Sequence, residues 1–338
     1  PKGTLKGDKS AETAHRLIHA AAIDARHIGA LVHGSVCRDY LEPATACGVH
    51  RLLGLEPTCA LYDVSNACLG ILNGIVQVAN MIELGQVRAG IVVGTECGRA
   101  LVDNTIRTLN ADLSLTREQA KLAVASLTIG SASAAVLLVD KELSRTGNRL
   151  LAATARAHTA AHDLCRGRNE PPTPSPLAGE GGERSEPGEG DSPSPAGSAP
   201  LMQTDSERLL HAGIAAGAAA FDAFLSETGW TRDDIQKTFC HQVGSAHRKR
   251  LLETLVLDAS IDFPTYETLG NTGSVALPIT MALGIESGHL APRDHVALLG
   301  IGSGINVLML ALDWQTSLVA ADANCPSKKH ARETTRQT

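Results

Sequence analysis

Residues 63–85 read DVSNACLGILNGIVQVANMIELG, and this stretch decides the fold class. An apolar strand over residues 60–64 is followed by Cys68 and then by an apolar helix that runs to Gly85. A strand that leads into a helix in this way is typical of the βαβ unit of largely parallel sheets. Free N–H groups at the helix start stabilise a thiolate, so the placement predicts a lowered pKa and a nucleophilic thiol at Cys68. The alternative is a small buried hydrophobe, the commoner role of a cysteine.

The same alternation of strands and helices extends outward from this stretch in both directions. Short apolar runs predict further strands at residues 28–32, 89–93 and 238–240, and a hairpin at residues 295–299 and 305–312. Residues 170–200 are dominated by Pro, Gly, Ser and Glu, which predicts a disordered insertion. We therefore expect four segments: a first α/β half (1–169), the insertion (170–200), a second α/β half (201–314) and a flexible tail (315–338).

Composition and charge exclude several classes of protein. With 43% hydrophobic residues the chain can form a core, and a net charge of −6 argues against binding to nucleic acid or to anionic membranes. The longest apolar runs are interrupted by Gly, His and Asp, so no membrane span is predicted. Eight cysteines without CxxC spacing indicate reduced thiols and a cytoplasmic location. His15 and His19 lie one helical turn apart, but they suit an exposed helix face, and no metal site is predicted.

Three further segments carry candidate chemistry. His241 follows the strand at residues 238–240, and Asn271 lies in a turn that contains two glycines. An imidazole and a carboxamide at such positions can converge on a thiolate, and the turn at residues 302–304 can supply a backbone N–H. A papain-like protease uses Cys, His and Asn in the same order, but no cysteine here has the local signature of that family. Each of these residues has a structural alternative when it is taken alone.

Taken together, the motifs DVSNACLG, HQVGSAH, GNTGSVALP and LLGIGSG resemble the β-ketoacyl-acyl-carrier-protein synthase III branch of the thiolase superfamily. Within that branch, SVCRDYLEPATA, VVGTE and LCRG are most similar to the OleA enzymes, which condense two fatty acyl chains head to head. The resemblance covers about residues 10–165 and 201–314. It implies a thiolase-like α/β fold, two related βαβ halves in α/β/α/β/α layers, and a homodimer.

The resemblance also assigns roles to residues. Cys68 matches the acylated nucleophile, while His241 and Asn271 match the pair that holds the carbonyl of the second thioester. The backbone N–H groups of Cys68 and Ser303 would stabilise an oxyanion. Glu96 matches the OleA glutamate that reaches into the partner subunit's site and removes an α-proton, although a solvated carboxylate is the alternative. The substrates would be thioesters of coenzyme A or of acyl-carrier protein, with no resident cofactor.

Other expectations remain open beside this interpretation. Decarboxylative synthase III activity with a malonyl donor is the alternative within the class, and a non-catalytic remnant or acyl-binding protein is the alternative outside it. Gly244 stands where synthase III enzymes carry an Asn that contacts pantetheine. These families also begin with a strand that precedes Pro1 and lies inside the first sheet. We expect its absence to leave a gap there, so that a chain beginning at Pro1 folds poorly. A basic run, Arg248, Lys249 and Arg250, suits an acidic carrier protein, a coenzyme A phosphate or a solvated helix face.

Overall fold

The computed structural model of the chain describes residues 5–111, 114–167 and 202–319. The insertion expected at residues 170–200 lies outside these residues, and of the expected tail only residues 315–319 lie inside them. The helices are α1 (Lys6–Ala21), α2 (Thr45–Leu53), α3 (Gly70–Glu83), α4 (Arg99–Ala111), α5 (Arg117–Val124), α6 (Ser206–Thr228), α7 (Ser245–Leu255), α8 (Tyr266–Leu269) and α9 (Ala276–Glu286).

Four strands form the first sheet: β1 (Ile28–Gly34), β2 (Ala60–Val64), β3 (Ala89–Cys97) and β4 (Ser131–Val139). Their order is β2-β1-β3-β4. β1 pairs in parallel with both β2 and β3, and β4 is antiparallel to β3. The strands predicted from apolar runs are therefore present, although β1 and β3 extend further than expected.

A second sheet contains β5 (Arg149–Ala157), β8 (Lys237–Cys240), β9 (Asp294–Gly302) and β10 (Asn306–Trp314), in the order β5-β10-β9-β8. The predicted hairpin is confirmed by the antiparallel pairing of β9 and β10. Because β5 pairs with β10, the second half begins at β5, and the boundary expected at residue 169 was placed too late. The low-complexity segment suggested that boundary, but it lies within the second half, between the short antiparallel strands β6 (Cys165–Gly167) and β7 (Met202–Thr204).

Successive side chains of each strand point to opposite faces of its sheet, so both faces of each sheet can pack against helices. The two sheets and the helices on their faces form five layers. One face of the first sheet packs on α1 and α2, through residues such as Leu31 and Val93. The opposite faces of the two sheets enclose α3 and α9, with Val32 from the first sheet and Leu298 from the second in one cluster. The outer face of the second sheet packs on α6 and α7. The structure therefore has the predicted α/β/α/β/α order.

The gap expected inside the first sheet is not found, because β1 and β3 are directly hydrogen-bonded neighbours. The second sheet explains the difference. Its parallel pair β8 and β9, with antiparallel β10, repeats the arrangement of β1, β3 and β4. Its own first strand, β5, lies at the edge beside β10, so the equivalent position in the first half is the edge beyond β4.

Helix α6 is long and apolar enough to cross a membrane, as judged by length and composition alone. In this structure it packs on β5 and β10 and beside α7. Phe221 and Phe224 are buried in the resulting cluster. The apolar face of α6 is therefore used in the core of the second half.

Candidate active site

Cys68 lies in a tight turn between the end of β2 and the first turn of α3. The turn is closed by the backbone N–H of Leu69, which donates to the carbonyl oxygen of Asn66 at 2.9 Å. Ala67 has a φ of 44°, a left-handed conformation that side chains other than glycine rarely adopt. The geometry turns Cys68 toward the second half, where a backbone N–H of Ser303 donates to the cysteine sulfur. The structure thus brings together Cys68 and the turn at residues 302–304.

The expected lowering of the Cys68 pKa is not found. Burial raises the pKa of this thiol to about 12, and the nearby Cys165 thiol and Glu96 carboxylate raise it further. The hydrogen bond from the Ser303 N–H acts in the opposite direction, but it is outweighed. A thiolate loses more solvation in this site than it gains at the helix start. The resting side chain of Cys68 is therefore a neutral thiol.

His241 follows β8, and its backbone N–H donates to the carbonyl oxygen of Leu299 at 3.1 Å. The residue is 8% exposed, and its Nδ1 has no hydrogen-bond partner within the described part of the chain. Burial lowers the pKa of His241 to about 4, with a smaller contribution from His247. The imidazole is therefore neutral at pH 7, with one ring nitrogen that can donate a hydrogen bond and one that can accept one.

Asn271 is held by the first half of the chain. Its backbone N–H donates to the Thr128 carbonyl oxygen, and its own carbonyl oxygen accepts from the Gly130 N–H, both at 2.9 Å. The side-chain Oδ1 accepts the N–H of Gly273 at 3.0 Å, which orients the carboxamide so that its Nδ2 donors face away from this turn. The turn leads directly into α9. Asn271 is thus a fixed donor at the boundary between the halves, as its proposed role requires.

Three asparagines form a chain of hydrogen bonds that the sequence analysis missed. Asn306 Nδ2 donates to Asn66 Oδ1 at 3.0 Å and also lies 3.3 Å from the carbonyl oxygen of Ser303. Asn66 Nδ2 in turn donates to Asn73 Oδ1 at 2.8 Å. This asparagine chain joins the turn that carries Cys68 to the turn that carries Ser303. Asn306 lies 240 positions after Asn66, so no local pattern reveals this connection.

Glu96 does not reach out of its own subunit. It is 5% exposed at the end of β3, and its carboxylate accepts the backbone N–H groups of Val36 and Cys37 at 2.9 and 3.1 Å. The backbone N–H of Ser274 lies 3.3 Å away, and the Ser274 hydroxyl lies 2.7 Å away. A base that enters a partner's site needs a free and projecting carboxylate, so the expected role of Glu96 does not fit its surroundings. The solvated-carboxylate alternative does not fit either, because the group is buried.

The basic run on α7 separates into residues with different surroundings. The Arg248 guanidinium bonds the buried carboxylate of Asp262 at 2.5 Å, so it is already engaged inside its own subunit. Lys249 is exposed and lies 3.8 Å from Glu253 on the same helix. Arg250 lines a cavity of about 260 Å³ together with His211. Within the described residues no group of three or more His, Cys, Asp or Glu is placed to hold a metal ion.

Comparisons with known proteins match the sequence of this chain to condensing enzymes. Residues 225–314 match the family model of the 3-oxoacyl-[acyl-carrier-protein] synthase III C-terminal domain. The acyl-CoA:acyl-CoA alkyltransferase of Shewanella oneidensis is 39% identical over 93% of this chain and 84% of its own length. A β-ketoacyl-[acyl-carrier-protein] synthase III of Streptomyces coelicolor is 24% identical over 92% of this chain and 84% of its own.

Solved structures of Xanthomonas campestris OleA show the same fold. A cysteine-to-serine variant with bound lauric acid and lauroyl-CoA has a TM-score of 0.81 and 28% identity, over 93% of this chain and 84% of that one. Other structures of that protein carry substitutions at a glutamate 26 positions before the changed cysteine and at a histidine 142 positions after it. A further structure contains bound cerulenin.

Proposed function

We propose that this chain, which belongs to the acyl-CoA:acyl-CoA alkyltransferase family, joins two fatty acyl thioesters by Claisen condensation through an acyl-enzyme on Cys68. Its 39% identity with the Shewanella oneidensis alkyltransferase, over most of both chains, shows the family. The observation that supports Cys68 and His241 is a spacing. His241 lies 173 positions after Cys68, and the excess over the 142 positions in the Xanthomonas campestris enzyme equals the 31 residues of segment 170–200.

The same spacing supports Glu42, in place of Glu96, as the base that removes the α-proton. Glu42 lies 26 positions before Cys68, as the substituted glutamate of the relative lies before its cysteine, whereas Glu96 lies after Cys68. Glu42 is at the exposed tip of the loop between β1 and α2, next to Leu41, which is 94% exposed. A residue on such a tip can enter the site of a second copy. We infer a homodimer in which each subunit supplies Glu42 to the other.

The reaction proceeds in two stages. In the first, the Cys68 sulfur attacks the carbonyl carbon of an acyl-coenzyme A, the thiol proton leaves, and coenzyme A departs as its thiol. In the second, His241 and Asn271 donate to the carbonyl oxygen of a second acyl thioester while Glu42 takes a proton from its α-carbon. The resulting enolate attacks the Cys68 thioester, whose oxygen is held by the N–H groups of Cys68 and Ser303. The Cys68 thiolate leaves and is reprotonated, and a β-ketoacyl thioester is released.

Intact-protein mass and product analysis with lauroyl-coenzyme A test this function. We expect an acyl adduct and a β-keto product for the natural chain in the absence of any malonyl donor. Cys68→Ala should give neither, and Glu42→Gln should give the adduct without the product. Product that requires a malonyl thioester would instead indicate the decarboxylative synthase III reaction. A folded protein without an adduct would indicate a non-catalytic acyl-binding protein.

Mixing two inactive variants tests the exchange of Glu42 between subunits. In a heterodimer of Cys68→Ala and Glu42→Gln, one site has an intact Cys68 and receives Glu42 from its partner. Random reassociation of equal amounts should therefore restore about a quarter of the natural activity, since half of the dimers are mixed and each has one working site. No recovery would place Glu42 in the site of its own subunit.

The seven cysteines within the described residues are all free thiols. Free thiols persist in reducing compartments. This observation supports our inference that the enzyme acts in the cytoplasm.

A further inference from the structure

Glu96 is a buried carboxylate for which the proposed reaction has no direct use. Its partners come from two segments that are distant in sequence from the end of β3: the loop that follows β1 and the turn that precedes α9. A buried charge is costly unless it is fully hydrogen-bonded, so this arrangement requires a structural or mechanistic reason.

The donors around Glu96 occupy both of its oxygens. Oε1 accepts from the N–H of Val36 and from Ser274, and Oε2 accepts from the N–H of Cys37. The Ser274 hydroxyl is shared, because it also lies 2.8 Å from the carbonyl oxygen of Gly34. A carboxylate with these donors in place is pinned by its own subunit. It has no freedom to approach the α-carbon of a substrate.

Both segments that Glu96 contacts lead to residues with a proposed role in condensation. Val36 and Cys37 begin the loop whose tip is Glu42, and Ser274 lies three residues after Asn271. The turn lies directly against the carboxylate, because a Cβ built on Gly273 would be 3.3 Å from Glu96 Cγ and Cδ. The buried Glu96 carboxylate therefore fixes the start of the Glu42 loop relative to the Asn271 turn.

We propose that Glu96 is a positioning residue for the condensation stage, which it serves by fixing the Glu42 loop and the Asn271 turn. This inference rests on the proposed function, since it assigns both segments to the second stage of that reaction. Acylation of Cys68 uses neither segment and does not depend on Glu96. The negative charge of Glu96 raises the pKa of Cys68, so removal of the charge does not hinder ionisation of the nucleophile.

The variant Glu96→Gln keeps the size of the side chain, but in either orientation it places an NH₂ group against an N–H donor of the Glu42 loop, Val36 on one side or Cys37 on the other. We expect acylation of Cys68 by lauroyl-coenzyme A to stay within about twofold of the natural rate. Condensation should fall about 30-fold, the scale of effect that a displacement below 1 Å produces on a reacting geometry. The pH profile of the remaining condensation should keep its natural shape, because the proposed base, Glu42, is unchanged.

Ser274→Ala provides a second and milder test, because it removes the shared hydroxyl while the Ser274 N–H contact remains. We expect condensation to fall about fivefold, with acylation unchanged, since one of several contacts is lost. In the double variant the loss should be no greater than in Glu96→Gln alone, because both changes break the same contact. If Glu96 were itself the base, the two losses would multiply and the pH profile would change.

Thr105→Ala is the matched control. Thr105 is fully buried, and its hydroxyl donates to Leu101 within its own helix, α4. This variant should lose stability without a change in the ratio of condensation to acylation.

Several outcomes would overturn the proposal. One is a parallel loss of acylation and condensation in Glu96→Gln, and another is an altered pH profile. If Glu96→Gln does not fold, Ser274→Ala decides alone, and an unchanged condensation rate there would contradict the proposal. A natural chain that acylates Cys68 but gives no condensation product would refute the proposed function itself, which is a separate result.

Discussion

At the scale of single residues, the ionisation of the Cys68 thiol determines how its reactivity responds to pH. Because burial raises the pKa of Cys68 to about 12, the thiolate is a minor species at pH 7. We expect alkylation of Cys68 by iodoacetamide, followed by peptide mass, to accelerate about tenfold per pH unit from about pH 6 to 9. The exposed Cys47 serves as an internal reference in the same digest. A plateau near neutral pH would show that the helix start, rather than burial, controls the thiol.

The sequence predicts which residues are candidates for the site better than it predicts the surroundings of those residues. Cys68 and His241 are found because each follows an apolar strand, a pattern confined to a few neighbouring residues. The pKa of Cys68 depends on cover from the second half, including the turn that contains Ser303, and this contact is remote in sequence. Glu96 also ends a strand, so its local pattern resembles that of a catalytic carboxylate. Only the folded structure shows that residues 36, 37 and 274 bind its carboxylate and enclose it.

At the scale of elements, a close backbone approach holds the Asn271 turn to the first half. A Cβ on Gly130 would lie only 1.9 Å from the carbonyl oxygen of Leu269, and one on Gly270 would lie 2.5 Å from that of Thr128. Gly130→Ala must therefore separate the two segments, and we expect it to lower the free energy of unfolding by about 2–3 kcal/mol, measured by urea denaturation.

Gly48→Ala is the control for this substitution. Gly48 is an exposed position inside α2, and a Cβ there meets no atom within 4 Å. Alanine should raise the free energy of unfolding by about 0.5–1 kcal/mol at such a site. If both variants were equally stable, the close approach at Gly130 would not be a constraint.

The asparagine chain makes a second prediction at this scale. Asn306→Ala removes the bond to Asn66 and the contact with the Ser303 carbonyl, so the turn that donates to Cys68 is no longer fixed. We expect the rate of Cys68 acylation by lauroyl-coenzyme A to fall about tenfold, less than the loss of a whole oxyanion donor. Asn73→Ala breaks only the far end of the chain and should have a smaller effect. If Asn306→Ala lowered the stability but kept the natural acylation rate, the hydrogen bonds between the three asparagines would have only a structural role.

At the scale of the whole molecule, the two halves repeat one plan, and the candidate site residues lie at their junction. The central helices α3 and α9 lie between the sheets, and each is preceded by a site residue, Cys68 before α3 and Asn271 before α9. Strands and helices of this plan are predictable from apolar periodicity. The division between halves was misplaced because low-complexity composition suggested a linker, whereas the membership of β5 in the second sheet depends on pairing with β10, more than 140 residues later.

The segment at residues 170–200 provides the last prediction. Strands β6 and β7, which flank it, are paired so that Gly167 lies opposite Met202. Excision of residues 170–200 would leave Arg168, Asn169 and Leu201 between these partners, a connection of three residues that suits a hairpin. The excised chain should keep the natural rates of acylation and condensation. Its free energy of unfolding should rise by up to about 2 kcal/mol, because closure of a shorter connection costs less entropy. A folded excised chain with a lost condensation rate would instead show that the segment takes part in the reaction.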